Sequence, residues 1–163
     1  MEKSVCFSGY RPTKFNYTAE NKKLIYQKLI IEIGACIKYG YNSFYFGGAP
    51  GFDLLAAFAL IYLKKAFDIK LICALPYENF YLSDEFDEAW RRDYQAIINK
   101  CDEIINVSGA REKTGDCFGA RNKFMVDNSD ILICFSDGKP GGTKNTIGYA
   151  CQKGLKIINL LPM

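Results

Sequence analysis

Three glycine-rich segments are the parts of this sequence best suited to chemistry, and each follows a short apolar run. They read SGYRP at 8–12, GGAPGFD at 47–53 and KPGGTKNT at 139–146, and the last two open directly into segments of helical period. Glycine lets backbone N–H groups approach an anion, and the first turn of a helix adds unpaired donors and positive potential. The pattern predicts contact with a phosphate or diphosphate. The alternative is that these glycines only make tight turns.

Charged side chains near these segments are candidates for the rest of a ligand site. Arg11 and Arg121 could bind phosphate with two parallel hydrogen bonds, and Asn122 could bind a ribose or the edge of a base. Asp53 stands near a helix start, where it is either a carboxylate favoured by the helix dipole or an acceptor for ribose hydroxyls. For either arginine, the alternative is an ordinary surface position.

The signals for catalysis are weaker. The sequence contains no histidine, which removes Ser-His and Cys-His dyads and the commonest metal ligand. No cysteine or carboxylate cluster has metal-ligand spacing, so no metal site is expected. Carboxylates remain candidate bases, although no matched pair stands out. Aromatic residues in the expected edge loops could stack on a base or could simply cover the core: Tyr10, Tyr77, Phe80 and Tyr81.

Alternating strand-like and helix-like segments must position these residues. Apolar runs predict strands over 4–8, 43–46, 70–75, 103–107, 131–135 and 156–160, and helical spacing predicts helices over 18–39, from 50–53 onward, 83–100, 118–128 and 145–153. This order is typical of an α/β fold with a three-layer, doubly wound, mostly parallel sheet. Without a linker or repeat, residues 1–163 are expected to form a single Rossmann-like domain. Ligands of such sheets bind beyond the carboxyl ends of the strands, where the three glycine segments would lie.

Composition narrows the class of protein. The 163 residues are 49% hydrophobic, with no apolar stretch long enough to span a membrane and no secretory signal at the start. Seven irregularly spaced cysteines predict free core thiols, which favours the cytoplasm. The net charge is +3 and the pI near 8.4, with acids and bases interspersed. A dedicated nucleic-acid surface would be more basic and more clustered.

Taken together, the motifs resemble the SLOG superfamily of Rossmann-like proteins, and within it the small YpsA-type proteins. The similarity is carried by SGYRP at 8–12, GGAPGFDLLAA at 47–57, ALPY at 74–77, and the run from Ala120 to Phe135 that leads into GGTKNTIGYA at 141–150. A similar order of pieces occurs in the DNA-processing protein DprA. The similarity spans nearly the whole chain.

This resemblance implies a nucleotide-binding fold and a nucleotide or ADP-ribose-like ligand. It nominates twelve ligand-binding residues: Ser8, Gly9, Arg11, Gly47, Gly48, Gly51, Asp53, Arg121, Asn122, Gly141, Gly142 and Thr143. The LOG phosphoribohydrolases of this superfamily place a catalytic Glu after a similar glycine loop. Here KNTIGY follows at 144–149, with no acid, so that activity is not expected.

Three functions therefore remain open. The first is a non-catalytic module that binds or senses a nucleotide-like ligand, with a protein partner or homo-oligomer left open. The second is an enzyme that cleaves an N-glycosidic or phosphate bond in a nucleotide. The third is a DNA- or protein-interaction module of the DprA type, since members of one fold carry out different functions.

Overall fold

The computed structural model describes residues 2–162, which contain six strands, five α-helices and one 3-10 turn. The strands are β1 (Ser4–Gly9), β2 (Ser43–Phe46), β3 (Lys70–Leu75), β4 (Glu103–Asn106), β5 (Ile131–Phe135) and β6 (Lys156–Asn159). The helices are α1 (Ala19–Lys38), α2 (Phe52–Lys64), α3 (Glu88–Ile98), α4 (Cys117–Asp127) and α5 (Gly142–Gln152), and the 3-10 turn is Phe80–Leu82.

All six strands are parallel and form one sheet in the order β4-β3-β2-β1-β5-β6. In the register of the central strands, Cys6 of β1 pairs with Tyr45 of β2 on one side and with Leu132 of β5 on the other. The chain builds outward from β1 through β2, β3 and β4, and then returns to the other side of β1 as β5. This arrangement confirms the doubly wound α/β fold predicted from the sequence.

Alternating residues of the buried strands form two separate cores. Val5 and Phe7 of β1 belong to the larger core with α1, α2 and α3, whereas Cys6 belongs to the smaller core. Met125 of α4 and Ala150 of α5 complete the smaller core. Because successive strand side chains point to opposite faces, an apolar run such as SVCF can supply both cores at once.

Two helix boundaries differ from the sequence expectation. α3 begins at Glu88 rather than Ser83, because the carboxylate of Asp87 accepts a hydrogen bond from the backbone N–H of Trp90 at 2.8 Å and caps the helix there. α5 begins at Gly142 rather than Asn145. The first shift frees residues 83–87 from the helix, and the second places Gly142 and Thr143 in the first turn of α5.

The predicted free core thiols are confirmed for most of the cysteines. All seven are unpaired, and five are buried: Cys6, Cys36, Cys73, Cys117 and Cys134. Cys101 is half-buried and Cys151 is exposed. In the part of the chain from 2 to 162, no helix combines the length and apolarity needed to cross a membrane.

Candidate functional site

A cavity of about 320 Å³ lies at the carboxyl ends of β1 and β5. The loops that follow these neighbouring strands lead to helices on opposite faces of the sheet, and this divergence opens the crevice where α/β folds bind ligands. Its wall comes from β1 and the loop after it, α2, the segment before α3, α4 and α5. The lining residues are Phe7, Ser8, Gly9, Tyr10, Arg11, Thr13, Lys14, Ala49, Asp53, Glu85, Phe118, Arg121, Asn122, Met125, Gly142 and Thr143.

Arg121 is the charged group at the base of this cavity, and only 2% of its surface is exposed. Its Nη1 donates to the carbonyl oxygens of Gly47 and Ala74, the second at 3.1 Å, and its Nε donates to Oδ1 of Asn122 at 2.8 Å. Within residues 2–162, Nη2 forms no hydrogen bond, yet it is not among the fully enclosed unpaired atoms. The guanidinium therefore presents its remaining nitrogen to the cavity.

Burial lowers the pKa of Arg121 to about 10, while the nearby carboxylate of Asp53 opposes this shift. An arginine with that pKa stays protonated at neutral pH. The cavity thus contains a permanent positive charge that is fixed to two backbone carbonyls and is only partly satisfied. Such a preorganised guanidinium suits an anionic oxygen.

Asp53 faces the same cavity from the second position of α2 and is 7% exposed. Its Oδ2 accepts a hydrogen bond from the backbone N–H of Ala49 at 3.2 Å, and Oδ1 has no partner within the described chain. Burial raises the pKa of Asp53, and the charge of Arg121 and the Ala49 N–H partly offset that rise. The unpaired oxygen is available as an acceptor for a hydroxyl.

The first turn of α5 contributes backbone donors. Gly141 precedes the helix and no side chain caps it, so the first N–H groups of α5 lack side-chain partners. Gly142 and Thr143 line the cavity, and Thr143 is 9% exposed with no hydrogen bond to its hydroxyl within residues 2–162. Ser8 at the end of β1 is likewise buried, and its hydroxyl forms no hydrogen bond within residues 2–162. These donors and the helix dipole favour an anion.

Arg11 forms the outer wall rather than the floor. Its Nη1 donates to the carboxylate of Glu85, and its guanidinium lies 4.6 Å from the ring centre of Phe118 and 5.5 Å from that of Phe80. The side chains of Arg11 and Glu85 are 29% and 33% exposed. Since the arginine is already paired, it would have to leave Glu85 or share it in order to bind a ligand.

Hydrogen bonds tie the loop after β1 to the loop after β5. The hydroxyl of Tyr10 donates to the carboxylate of Asp137 and lies 3.3 Å from Oγ of Ser136. Nζ of Lys14 donates to the carbonyl of Pro140 at 2.9 Å. The two loops that diverge at the crevice are thus held at a fixed separation, which preorganises the cavity.

Of the twelve residues nominated from the sequence, eight line the cavity: Ser8, Gly9, Arg11, Asp53, Arg121, Asn122, Gly142 and Thr143. The other four do not line it: Gly47, Gly48, Gly51 and Gly141. Gly48 packs against Cys73 and Leu75, and Gly51, at a φ of 92°, packs against the carbonyl of Tyr10. These glycines permit close backbone packing beneath the site.

Several cavity residues were not anticipated from the sequence: Thr13, Lys14, Glu85, Phe118 and Met125. The sequence predicts Glu85 inside a helix. Because α3 begins only at Glu88, Glu85 lies in the segment before that helix, where it lines the cavity. Phe118 lies about one turn before Arg121, a spacing that could have linked the two. Of the aromatic residues expected at the edge, Tyr10 lines the cavity and also belongs to the core. Tyr77 and Phe80 are buried in the core, and Tyr81 is partly buried against it, outside the cavity.

No group of three or more metal-ligating side chains occurs among residues 2–162. The site instead combines a buried cation, a buried carboxylate, two hydroxyls and a helix N-terminus. This set of groups can bind an anion through Arg121 and α5 while accepting hydrogen bonds from hydroxyls at Asp53.

Comparisons with known proteins place this chain in a family. The chain is 35% identical over 119 residues to the SPbeta prophage-derived protein YoqJ of Bacillus subtilis, a match that covers 64% of this chain and 66% of that protein. It is 24% identical over 161 residues to a UPF0398 protein of Bacillus thuringiensis, covering 93% of this chain and 84% of the relative.

Two solved structures share the fold at low sequence identity. DNA processing protein A from Helicobacter pylori is 18% identical, with a TM-score of 0.64 over 96% of this chain and 64% of that one. The molybdenum cofactor binding protein from Rippkaea orientalis is 19% identical, with a TM-score of 0.57 over 98% and 76% of the two chains. The model of the YspA SLOG family (YpsA) matches residues 5–156, and this chain therefore belongs to that family.

Proposed function

We propose that this chain binds a nucleotide or a related ADP-ribose-like molecule in the cavity between β1 and β5. One observation carries the proposal. Four residues that are more than nine-tenths buried, namely Ser8, Asp53, Arg121 and Thr143, line one cavity, and each has a polar side-chain atom that forms no hydrogen bond within the described residues. Because these atoms are not fully enclosed, they are open to the cavity, and a few polar groups that converge in one cavity are typical of a ligand site.

The polar groups that line the cavity fall into two sets with different chemistry. Arg121, Thr143 and the first N–H groups of α5 are donors and suit a phosphate. The unpaired oxygen of Asp53 suits the hydroxyls of a ribose. A phosphorylated nucleoside carries both features, whereas a bare phosphate lacks the hydroxyls and a bare nucleoside lacks the anion.

The test compares AMP and ADP with adenosine by thermal unfolding. At a concentration near 100 times Kd, a ligand of the folded state adds about 2.7 kcal/mol to the free energy of unfolding. For a chain of this size, the melting temperature should rise by roughly 5–10 °C. Adenosine should produce a much smaller rise, because it leaves Arg121 and α5 without an anion.

Thr143→Val is a nearly isosteric variant that removes one donor and should weaken AMP binding about tenfold. Thr114→Val alters an exposed loop residue outside the cavity and serves as the matched control. Equal stabilisation by adenosine and AMP, or no stabilisation by any nucleotide, would refute the proposal.

Nucleotide cleavage is a second candidate function because two carboxylates, Asp53 and Glu85, line the same cavity. Burial raises the pKa of Asp53, which is a property of groups that act as general acids. Incubation with AMP would reveal this activity as free adenine and ribose 5-phosphate. If Asp53→Asn abolished the release while binding persisted, cleavage would become the leading function.

DNA binding is less well supported, although DNA processing protein A of Helicobacter pylori binds single-stranded DNA. That similarity of 18% identity concerns the fold, and the cavity here contains acids as well as bases. If the protein bound a single DNA strand along its surface, its affinity would fall steeply as the salt concentration rises. The slope of log affinity against log salt concentration would be about −0.7 for each phosphate contacted.

The buried free thiols suit a reducing compartment, and we propose the cytoplasm as the location of the protein.

A further inference from the structure

An open groove of about 490 Å³ lies between α1 and α2 and shares no lining residue with the cavity between β1 and β5. We call it the α1–α2 groove. Its lining residues are Lys22, Lys23, Tyr26, Leu55, Phe58, Ile61, Tyr62 and Lys65. Leu55 belongs to the main core, and Tyr26, Phe58 and Ile61 are partly buried against that core. The floor of the groove is therefore apolar and recessed.

Two tyrosines, Tyr26 and Tyr62, add polar atoms to this apolar floor. Neither hydroxyl forms a hydrogen bond within residues 2–162, and Tyr62 is 57% exposed. Tyrosine is enriched at protein interfaces, because its ring supplies apolar contact area while its hydroxyl can still form a hydrogen bond. The pair suits a partner surface that is apolar at its centre and polar at its edges.

The charge around the groove has one sign. The charged side chains that line it are all lysines: Lys22, Lys23 and Lys65. A smaller hollow of about 300 Å³ adjoins the groove at Ile61 and Lys65, and it adds Lys64 and Lys100. In the part of the chain from 2 to 162, no carboxylate lines either space.

Neighbouring acids compensate only part of this positive charge. Lys64 pairs with Asp102, and Nζ of Lys22 lies 4.4 Å from the ring centre of Trp90. Burial raises the pKa of Asp93, and the charge of Lys22 partly offsets that rise. The lysines without an ion pair among residues 2–162 are Lys23, Lys65 and Lys100. Complementarity of charge therefore favours an acidic partner.

The secondary structure of the groove decides the form of the partner segment. The lining residues belong to α1 or α2, and Lys65 directly follows α2. Because helices satisfy their own backbone groups, the groove has no sheet edge to which an extended peptide could add as a strand. From Leu55 to Lys65 the groove runs along α2 for about 15 Å, the length of about three helical turns. An amphipathic helix matches this length and needs no backbone partner.

Two other occupants fit the groove less well. Insertion into a bilayer requires apolar side chains that protrude, whereas Phe58 and Ile61 are recessed. A symmetric contact with a second copy of this chain would place the same lysines opposite one another. A separate acidic protein avoids both difficulties.

We infer that the α1–α2 groove binds an amphipathic helix of a partner protein. The apolar side of that helix packs on Tyr26, Phe58, Ile61 and Tyr62, and its flanking Asp and Glu side chains lie against the lysines. The inference does not depend on nucleotide binding, because no residue of the groove lines the cavity between β1 and β5.

Fluorescence anisotropy with a labelled helical peptide of about 15 residues tests the inference. The peptide contains leucines at i, i+3, i+4 and i+7, with glutamate and alanine elsewhere, and should bind with a Kd below about 100 μM. Its affinity should fall as the salt concentration rises. A peptide of the same composition with scattered leucines, or one with lysine in place of glutamate, should bind at least about tenfold more weakly.

Two variants with matched controls assign the binding to the groove. Tyr62→Ala and Lys65→Glu change exposed residues of the groove and should each weaken the binding of the acidic peptide about tenfold. Tyr39→Ala and Lys38→Glu make the same changes at exposed positions outside the groove, at the end of α1. These two controls should leave the affinity within about twofold of its original value.

Several results would overturn the inference. They include no binding of the acidic peptide, equal binding of the scattered or lysine peptide, and equal effects of the groove variants and their controls. Phosphatidylserine vesicles or a dT oligonucleotide that bound more tightly than the peptide, and lost binding in Lys65→Glu, would assign the groove to a membrane or to nucleic acid. A dimer in sedimentation that Tyr62→Ala dissociates would assign it to a second copy of the chain.

Discussion

The side chains of Arg121 and Asp53 both border the space that a side chain at Gly47 would occupy. A Cβ at residue 47 would lie 2.5 Å from Nη1 of Arg121 and 2.7 Å from Oδ2 of Asp53, although the two charged groups are too far apart to form an ion pair. The carbonyl of Gly47 also accepts from Arg121. The glycine therefore holds the buried charges in place without touching the cavity itself.

Gly47→Ala should lower the free energy of unfolding by about 1–3 kcal/mol, because the new methyl group would push two buried side chains apart. Nucleotide binding should weaken as well, since both displaced groups line the cavity. Gly34→Ala, in α1 with open space around its Cβ, should instead stabilise the protein by about 0.5–1 kcal/mol. Urea unfolding of both variants measures the difference, and equal stability of the two would contradict this account.

Gly142→Ala should weaken nucleotide binding about tenfold with little effect on folding. Its Cβ would meet nothing within 4 Å in the protein, but Gly142 lines the cavity as the first residue of α5, where we propose that the phosphate binds. Gly148→Ala is the matched control, because it also has open space and lies on α5 outside the cavity. Calorimetry with AMP distinguishes them, and an unchanged affinity in Gly142→Ala would remove the anion from this position.

Tyr10→Phe should raise the pKa of Asp137, which the hydrogen bond from the Tyr10 hydroxyl lowers. A carboxyl with a lowered pKa in the folded state stabilises the protein above its ordinary pKa, and that contribution is lost as pH falls through the folded value. The stability difference between wild type and variant should therefore be largest near neutral pH and shrink in acid.

Carboxyl NMR titration of Asp137 and unfolding at several pH values measure these two effects. Tyr45→Phe is the control, because the hydroxyl of Tyr45 has no hydrogen bond within residues 2–162, and it should leave the titration of Asp137 unchanged. A difference between wild type and Tyr10→Phe that grows on acidification would show that the assigned bond is wrong.

Only one of the seven thiols should react rapidly with a disulfide reagent at pH 8. Burial raises the pKa of Cys6 and Cys134 to about 12, and of Cys73 well above its ordinary value, so these thiols are both inaccessible and protonated. Cys151 is exposed. Cys151→Ser should remove the fast phase, Cys101→Ser should retain it, and two or more fast thiols in the native protein would count against the burial described.

The sequence by itself determined the sheet and the edge at which the site lies. Three strands, β2, β3 and β5, begin and end at the predicted residues. An apolar run such as ILICF at 131–135 is too short for a helix and is bounded by polar residues, so it predicts a buried strand with definite ends. Parallel strands bring their carboxyl ends to one edge, so the segments after β1, β2 and β5 had to converge. This rule needs only the positions of the strands in the sequence, and it holds for any parallel sheet.

Only the tertiary structure decided which residues face the cavity and which lie behind it. Sequence order cannot show that Arg121 reaches 74 residues back along the chain to Gly47, or that Glu85 pairs with Arg11. The glycines at 47, 48 and 51 looked like phosphate contacts, yet they pack against side chains from β3, α4 and the loop after β1. Such roles depend on contacts between distant segments, and those contacts exist only once the strands pair and the helices pack on both faces of the sheet.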